Sequence, residues 1–435
     1  MDHALVKSLR DTVADNLRAE RRRRAQAGQP LLGEDTRQYG RALILSALQD
    51  HRLDNLGRDG GALPDPGADA EIARAVHALL FGLGRLQPLL EDEAVANIEI
   101  NGADRVWLHL QDGRVVAGPP VADSDAELIE LVRTAAAYNG LSSRPFDPVN
   151  PWLEMRLPDG SRLCALMSVV DRPAISIRCF RLTRVFLDDL YARGAFTSQV
   201  GEFLRAAVAG KMNLMVSGET FAGKTTLLRA LGNVIAPSER LVTAEHFFEL
   251  GFGHFPDLHR DVVAMEERLA NAEGVGAMSM LDLVERSRRL NPDRIIVGEV
   301  IGDEIIAMLD AMTQGNDGSL STIHARNSAM VFQRIASYAL KSAQRLPIQA
   351  SYLLTAGALD FVVHIAKRRA ADGTVQRYVS SIREVIGYDG TQVVSSEVFA
   401  CPDPAAPAAY PAAPVSGARA DALAEAGYLP RRWAA

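Results

Sequence analysis

The chain has 435 residues, 48% of them hydrophobic and 23% charged, with a formal net charge of −7. Such a balance describes a globular protein of two or three domains and excludes low-complexity disorder and collagen-like repeats. No apolar run reaches the roughly 18 residues a membrane-crossing helix needs, the N-terminus lacks a signal peptide's apolar core, and the acidic balance counts against a nucleic-acid binder. A cytoplasmic protein is expected, with peripheral docking at the inner face of the cell membrane left open.

Residues 1–69 read as a polar helical extension with a Gly/Pro-rich linker from Asp59-Gly60-Gly61 to Pro64-Asp65-Pro66-Gly67. Its Arg21-Arg22-Arg23-Arg24 run reads as a solvated helix face. A smaller α+β domain is expected over 70–182. It opens on a helix through Ala73, Val76, Leu79 and Leu80. Residues 97–100 and 106–110 alternate like strands, and Asp112-Gly113 turns the chain into Val115-Val116. Ser124 and Glu127 form a capping box for a helix with Leu128, Leu131, Val132 and Ala135 on one face. Asp159-Gly160 joins a hairpin of residues 153–157 and 162–166.

Residues 183–195 bridge to a nucleotide domain that extends to residue 400. Strands at 214–216, 241–244, 294–297 and 320–323 alternate with helices, which predicts a parallel sheet with ligands at its carboxyl edge. Residues 361–365 and the pair around Asp389-Gly390 suggest an antiparallel extension, and residues 401–435, rich in Ala and Pro, are expected to be disordered. Cys164, Cys179 and Cys401 are odd in number and form no C-x-x-C, so neither a disulfide framework nor a zinc site is indicated.

Gly218-Glu219-Thr220-Phe221-Ala222-Gly223-Lys224-Thr225 fits the phosphate-binding pattern G-x-x-x-x-G-K-[ST]. Glycines let backbone N–H groups turn inward around phosphate oxygens, Lys224 adds a point charge, and the Thr225 hydroxyl can hold Mg²⁺. The helix that follows, through Thr226, aims its positive end at the same anion. Only five lysines (Lys7, Lys211, Lys224, Lys341, Lys367) stand among 47 basic residues. Lysine where a compact ammonium is wanted is therefore informative.

A phosphate loop needs an acid delivered by a buried strand. Pro292-Asp293-Arg294-Ile295-Ile296-Val297-Gly298-Glu299 supplies one, so Glu299 is expected to serve the metal with Thr225. Glu245 and Glu249 are further candidates, with Glu245 taken to organise the attacking water. His324 ends another strand, and by spacing alone it reads as structural.

Together these residues resemble the type II/IV secretion ATPase family, closest to its Tad/Flp pilus (CpaF-like) branch. The resemblance covers residues 75–399. It is carried by Gly84-Arg85-Leu86-Gln87-Pro88-Leu89-Leu90, Ile100-Asn101-Gly102, Arg156-Leu157-Pro158-Asp159-Gly160-Ser161-Arg162, Ser176-Ile177-Arg178, 292–300 and 318–325, the last being similar to the family's His box. The resemblance implies a RecA-like P-loop ATPase domain behind a smaller α+β domain. It also implies ATP and Mg²⁺ as ligands, a homo-oligomeric ring (most often a hexamer), inner-membrane platform proteins as partners, and no nucleic acid. It gives His324 a role in sensing the γ-phosphate or bridging neighbouring sites and makes Arg156, Arg162, Arg178 and Arg240 candidates to reach the phosphates. The chain departs from the family at Phe221-Ala222, His246, Ile301 and Asn316, positions taken to lie near one site. A ring subunit with little hydrolysis and a nucleic-acid translocase are the competing readings.

Overall fold

The computed structural model describes residues 3–29, 31, 33–59, 66–139, 145–181, 184–271, 273–369, 375–403, 406 and 408–429. Most of the expected linker (60–65) lies outside them. The chain divides into two compact units, Met1–Arg181 and Leu182–Ala435.

The first unit starts with three helices, α1 (His3–Gln26), α2 (Gly33–Asp59) and α3 (Pro66–Phe81). Val6, Leu9, Val13 and Leu17 recur at helical spacing along α1 and meet Ile44 and Leu48 of α2 and Val76, Leu80 and Phe81 of α3 in one apolar cluster. A boundary at residue 69/70 would therefore cut α3, which begins at Pro66, a favoured opening residue for a helix. A short helix α4 (Gln87–Glu91) leads into β1 (Val95–Asn101), β2 (Val106–Leu110), β3 (Val115–Ala117), α5 (Asp125–Asn139), β4 (Trp152–Arg156), β5 (Arg162–Leu166) and β6 (Ala174–Arg178). The six strands form one antiparallel sheet in the order β3-β2-β1-β6-β5-β4. Ser124 Oγ accepts the Glu127 amide at 3.2 Å, and the Glu127 carboxylate accepts the Asp123 amide at 2.8 Å, which starts α5 where the sequence predicts.

The second unit contains α6 (Leu187–Ala192), α7 (Ser198–Ala209), β7 (Leu214–Gly218), α8 (Lys224–Gly232), β8 (Arg240–Glu245), β9 (Asp261–Glu266), α9 (Met280–Ser287), β10 (Arg294–Val300), α10 (Glu304–Thr313), β11 (Leu320–His324), α11 (Met330–Lys341), α12 (Ile348–Ala358), β12 (Phe361–Arg369), β13 (Val375–Tyr388), β14 (Val393–Ala400), β15 (Tyr410–Pro411) and α13 (Gly417–Glu425). They build a sheet ordered β15-β14-β13-β12-β7-β11-β10-β8-β9. From β12 through β9 the neighbours are parallel; β13 to β15 are antiparallel. The extension thus begins at β13, because β12 itself runs parallel to β7.

Helices cover both faces, as a parallel sheet requires. Leu214 and Val216 of β7 join Leu204 of α7 and Leu228 of α8 in one cluster, while Met215 between them joins Leu283, Leu309 and Ile335 in the other. The alternation along a fully buried strand is the period-two geometry of β structure.

The expectation of a disordered tail is corrected. β15 pairs with β14, Leu423 of α13 is fully buried, and the Tyr428 ring sits edge-on to Phe203 with centroids 5.4 Å apart. Among the described residues Ala408 and Ala409 are buried too, and Arg419 Nε donates to Asp360 at 2.7 Å, contacts that composition alone does not reveal.

Candidate nucleotide site

The phosphate loop leaves the carboxyl end of β7 and enters α8 with no side-chain cap, so the first helical amides are left for an anion. Gly218 is obligatory on steric grounds, since a Cβ there would stand 2.5 Å from the Ile365 carbonyl oxygen. Gly223 has φ 97°, open to glycine at no steric cost. Phe221 has φ 61° and is exposed, a conformation that costs a bulky residue about 1–2 kcal/mol. Ala222 is buried, so of the two departures in the loop only Phe221 reaches solvent.

Lys224 is buried and its ammonium faces three acceptors: the Glu219 carbonyl at 3.3 Å, His324 Nδ1 at 3.0 Å and Glu299 Oε1 at 3.6 Å. His324 Nε2 lies 2.8 Å from the same Glu299 oxygen. The arrangement fixes the tautomer: Nε2–H donates to the carboxylate and Nδ1 accepts from Lys224. Burial, ahead of the opposing charge of Glu299, holds the His324 imidazole below the usual histidine range, consistent with a neutral ring. Lys224, Glu299 and His324, three of the residues picked from sequence, thus meet at one point. They do so because β7, β11 and β10 are adjacent parallel strands whose ends stand side by side. A cleft of about 840 Å³ opens beside them, lined by Glu219, Thr220, His324, Arg326, Arg334 and Lys367.

Glu245 is only 2% exposed. Its Oε1 accepts from the Thr243 hydroxyl at 3.2 Å, and Oε2 accepts the Glu249 and Leu250 amides at 2.7 and 2.8 Å. Burial pushes its carboxyl up to about 7 against those hydrogen bonds. Its side chain packs on Gly298, where an added Cβ would sit 3.2 Å from Glu245 Cγ, so it flanks the strand end that carries Glu299. Next to it, His246 Nδ1 is 2.6 Å from Glu267 Oε2. Burial lowers the His246 imidazole, but the Glu267 bond and charge outweigh it and leave it above the ordinary histidine value.

Thr225 is the second residue of α8 and partly exposed; Thr226 beside it is exposed. The Thr225 hydroxyl and the half-exposed Glu299 carboxylate are the hard oxygen donors that suit Mg²⁺, and the uncapped amides and Lys224 suit a polyphosphate. Arg156, Arg162 and Arg178 belong to the first unit, where they stand in register across β4, β5 and β6: Arg156 pairs with Arg162 and Arg162 with Arg178. Three guanidinium groups therefore share one cross-strand row.

Two expectations fail. Arg240 opens β8, with Nε donating to the Leu290 carbonyl at 2.8 Å and Nη1 2.5 Å from Asp261. That is the amino edge of the sheet, roughly 16 Å along the strand from Glu245 at about 3.3 Å per residue. Asn316, before β11, donates to the Pro292 carbonyl at 3.0 Å on the same amino side and is likewise remote from the phosphate loop. Sequence reasoning missed Lys367 and Arg377. Lys367 donates to the Thr220 carbonyl at 3.0 Å and Arg377 Nε to the Phe221 carbonyl at 3.1 Å. The rarity of lysine was the available signal for Lys367.

Comparison with known proteins identifies a family. The family model described as type II/IV secretion system protein matches residues 81–376. A Mycobacterium tuberculosis protein named as a conjugal transfer protein is 30% identical over 305 residues, 68% of this chain and 84% of that protein. The VirB11 protein of Agrobacterium fabrum is 30% identical over 312 residues, covering 64% and 87%, and the type IV secretion system protein PtlH of Bordetella pertussis is 29% identical over 330 residues, covering 69% and 93%. The crystal structure of the Brucella suis VirB11 ATPase overlays with a TM-score of 0.36 at 24% identity, covering 72% of this chain and 99% of that one, too loosely to add to the sequence match. The chain belongs to the type II/IV secretion system protein family.

Proposed function

We propose that this chain is a Mg²⁺-dependent ATPase motor that powers assembly of a Tad/Flp-type pilus or a related type II/IV secretion apparatus. It works as a homo-oligomeric ring, a hexamer, on the cytoplasmic side of the membrane, docked to inner-membrane platform proteins. Among the described residues no helix is long and apolar enough to cross a membrane. The observation that carries the proposal is the convergence of Lys224, Glu299 and His324 at the mouth of the phosphate loop.

In this reading the loop amides of 218–225 and the Lys224 ammonium hold the phosphates. Thr225 and Glu299 would hold Mg²⁺, which would supply charge neutralisation at the phosphate oxygens. The Lys224 ammonium exchanges its bonds to His324 and Glu299 for phosphate oxygens, which frees His324 Nδ1 to take up a proton from solvent and donate it in a hydrogen bond to the γ-phosphate. Glu245 supports the turn at 246–250 and the backbone at Gly298, and with its raised proton affinity it is the group proposed to orient water. Arg156, Arg162 and Arg178 are proposed to reach the phosphates and so link hydrolysis to movement of the first unit.

The test is phosphate release and nucleotide binding by the Lys224→Ala variant, with particle mass measured for the wild type. Turnover should vanish, and the wild-type particle should weigh a multiple of the 47.1 kDa chain. Unchanged hydrolysis in the variant removes the mechanism, and a monomer at working concentration removes the ring. A second reading, a ring subunit that binds nucleotide with little turnover, draws support from the left-handed Phe221 in the loop. Tight ATP binding by the wild type without phosphate release selects it.

A further inference from the structure

We infer that Lys367 and Arg377 form a two-cation clamp that sets the conformation of the phosphate loop and makes them positioning residues for its ligand. The two side chains are direct cross-strand partners, Lys367 on β12 opposite Arg377 on β13. Like charges in that relationship repel unless something negative lies between them. Here it is the backbone: Lys367 Nζ donates to the Thr220 carbonyl at 3.0 Å and Arg377 Nε to the Phe221 carbonyl at 3.1 Å. These are consecutive carbonyls at the tip of the loop, and the second belongs to the residue held at φ 61°. The Arg377 stem also runs along the loop, 3.4 Å from where a Gly223 Cβ would be.

The register explains why the clamp reaches. β12 runs parallel to β7 with Ile365 opposite Gly218, so Lys367 stands two residues beyond, level with the start of the loop. Turning the Thr220 carbonyl toward Lys367 leaves the Phe221 N–H, in the same peptide plane, facing the other side, where an anion would sit, while the Ala222 N–H is held inside the loop by the Glu219 carbonyl. A loop with glycine in place of Phe221 could adopt this shape without help. With phenylalanine there, the two charged donors over-determine a conformation the side chain disfavours. The clamp is a property of the apo loop; only its effect on affinity rests on the nucleotide reading above.

The experiment uses the full chain and the variants Lys367→Met, Arg377→Met and both together, each alone and with Phe221→Gly. The direct readout, without nucleotide, is hydrogen exchange at the Ala222 amide, which donates to the Glu219 carbonyl at 3.2 Å inside the loop. Exchange should rise about tenfold or more in the double variant and stay near wild type in Lys367→Arg, which keeps the donor. Affinity for ADP should fall about tenfold when Phe221 is retained and by clearly less when the clamp variants also carry Phe221→Gly. Unaltered exchange in variants whose melting temperatures match wild type overturns the clamp. An equal loss of affinity in both backgrounds overturns the link to Phe221. Raised exchange in a chain that binds no nucleotide upholds the clamp and removes the nucleotide reading instead.

Discussion

Glu299 accepts from His324 Nε2 at 2.8 Å while the opposite ring nitrogen accepts from Lys224 at 3.0 Å, so one imidazole links the phosphate-loop ammonium to the strand-end acid. Because Lys224 and Glu299 are also 3.6 Å apart, the three groups close into a ring of contacts rather than a chain.

That closure makes the effects of its members non-additive. Glu299→Gln should lower kcat by about 10²–10³ while leaving ADP affinity within a few-fold. His324→Ala should lower kcat as well, and the double variant should lose less than the product of the two, because each single change already opens the same ring. Steady-state phosphate release across the cycle checks this; strictly multiplicative losses would show that the two residues act apart.

The arginine row carries a separate expectation. Arg162→Gln and Arg178→Gln should each reduce turnover, by up to about 10³ where the guanidinium contacts the transferred phosphate. Both positions are at least partly exposed, so melting temperatures should hardly move. Arg178→Lys should recover only part of the loss, since an ammonium cannot present the same planar fork. Full activity in all three variants removes these arginines from the site.

Glu245 predicts a pH dependence of stability. Its carboxyl is raised from the ordinary 4.5 to about 7, chiefly by burial. The folded chain therefore holds this proton more tightly than the unfolded chain, and the group's contribution to stability falls as pH rises from about 4.5 to 7, then levels off. Glu245→Gln lacks that titration. Calorimetric melting points should shift in favour of the variant, relative to wild type, as pH rises through the window; a difference that moves the opposite way refutes the assignment.

Leu423 is fully buried against the core that holds Phe203. Leu423→Ala should cost about 2–5 kcal/mol, the range for truncating a buried leucine. Denaturant midpoints at constant slope check it, and a loss under about 0.5 kcal/mol would mean the terminal helix is not docked in solution.

The parallel sheet and the phosphate loop were legible because they are written locally, in apolar runs and in the glycine spacing of 218–225. Glu299 was legible for the same reason, near the end of a buried strand, whereas His324 read as structural by spacing and was picked only through the resemblance of 318–325 to a His box. Their meeting was not, since it depends on β10, β11 and β7 being neighbours. Arg240 misled because a motif position says nothing about which end of a strand it occupies. Lys367 and Arg377 were hidden by distance, about 150 residues along the chain from carbonyls they bind. The tail was hidden by composition, because a count of Ala and Pro does not register that Leu423 and Tyr428 are buried in the core.

The docking of Tyr428 on Phe203 also sets an order of events during synthesis. Phe203 is made more than two hundred residues before Tyr428, so this contact cannot form until that later stretch has been synthesised. Phe361 and Phe399 reach the same ring earlier in the chain, so Tyr428 completes an aromatic cluster that the sheet has already begun.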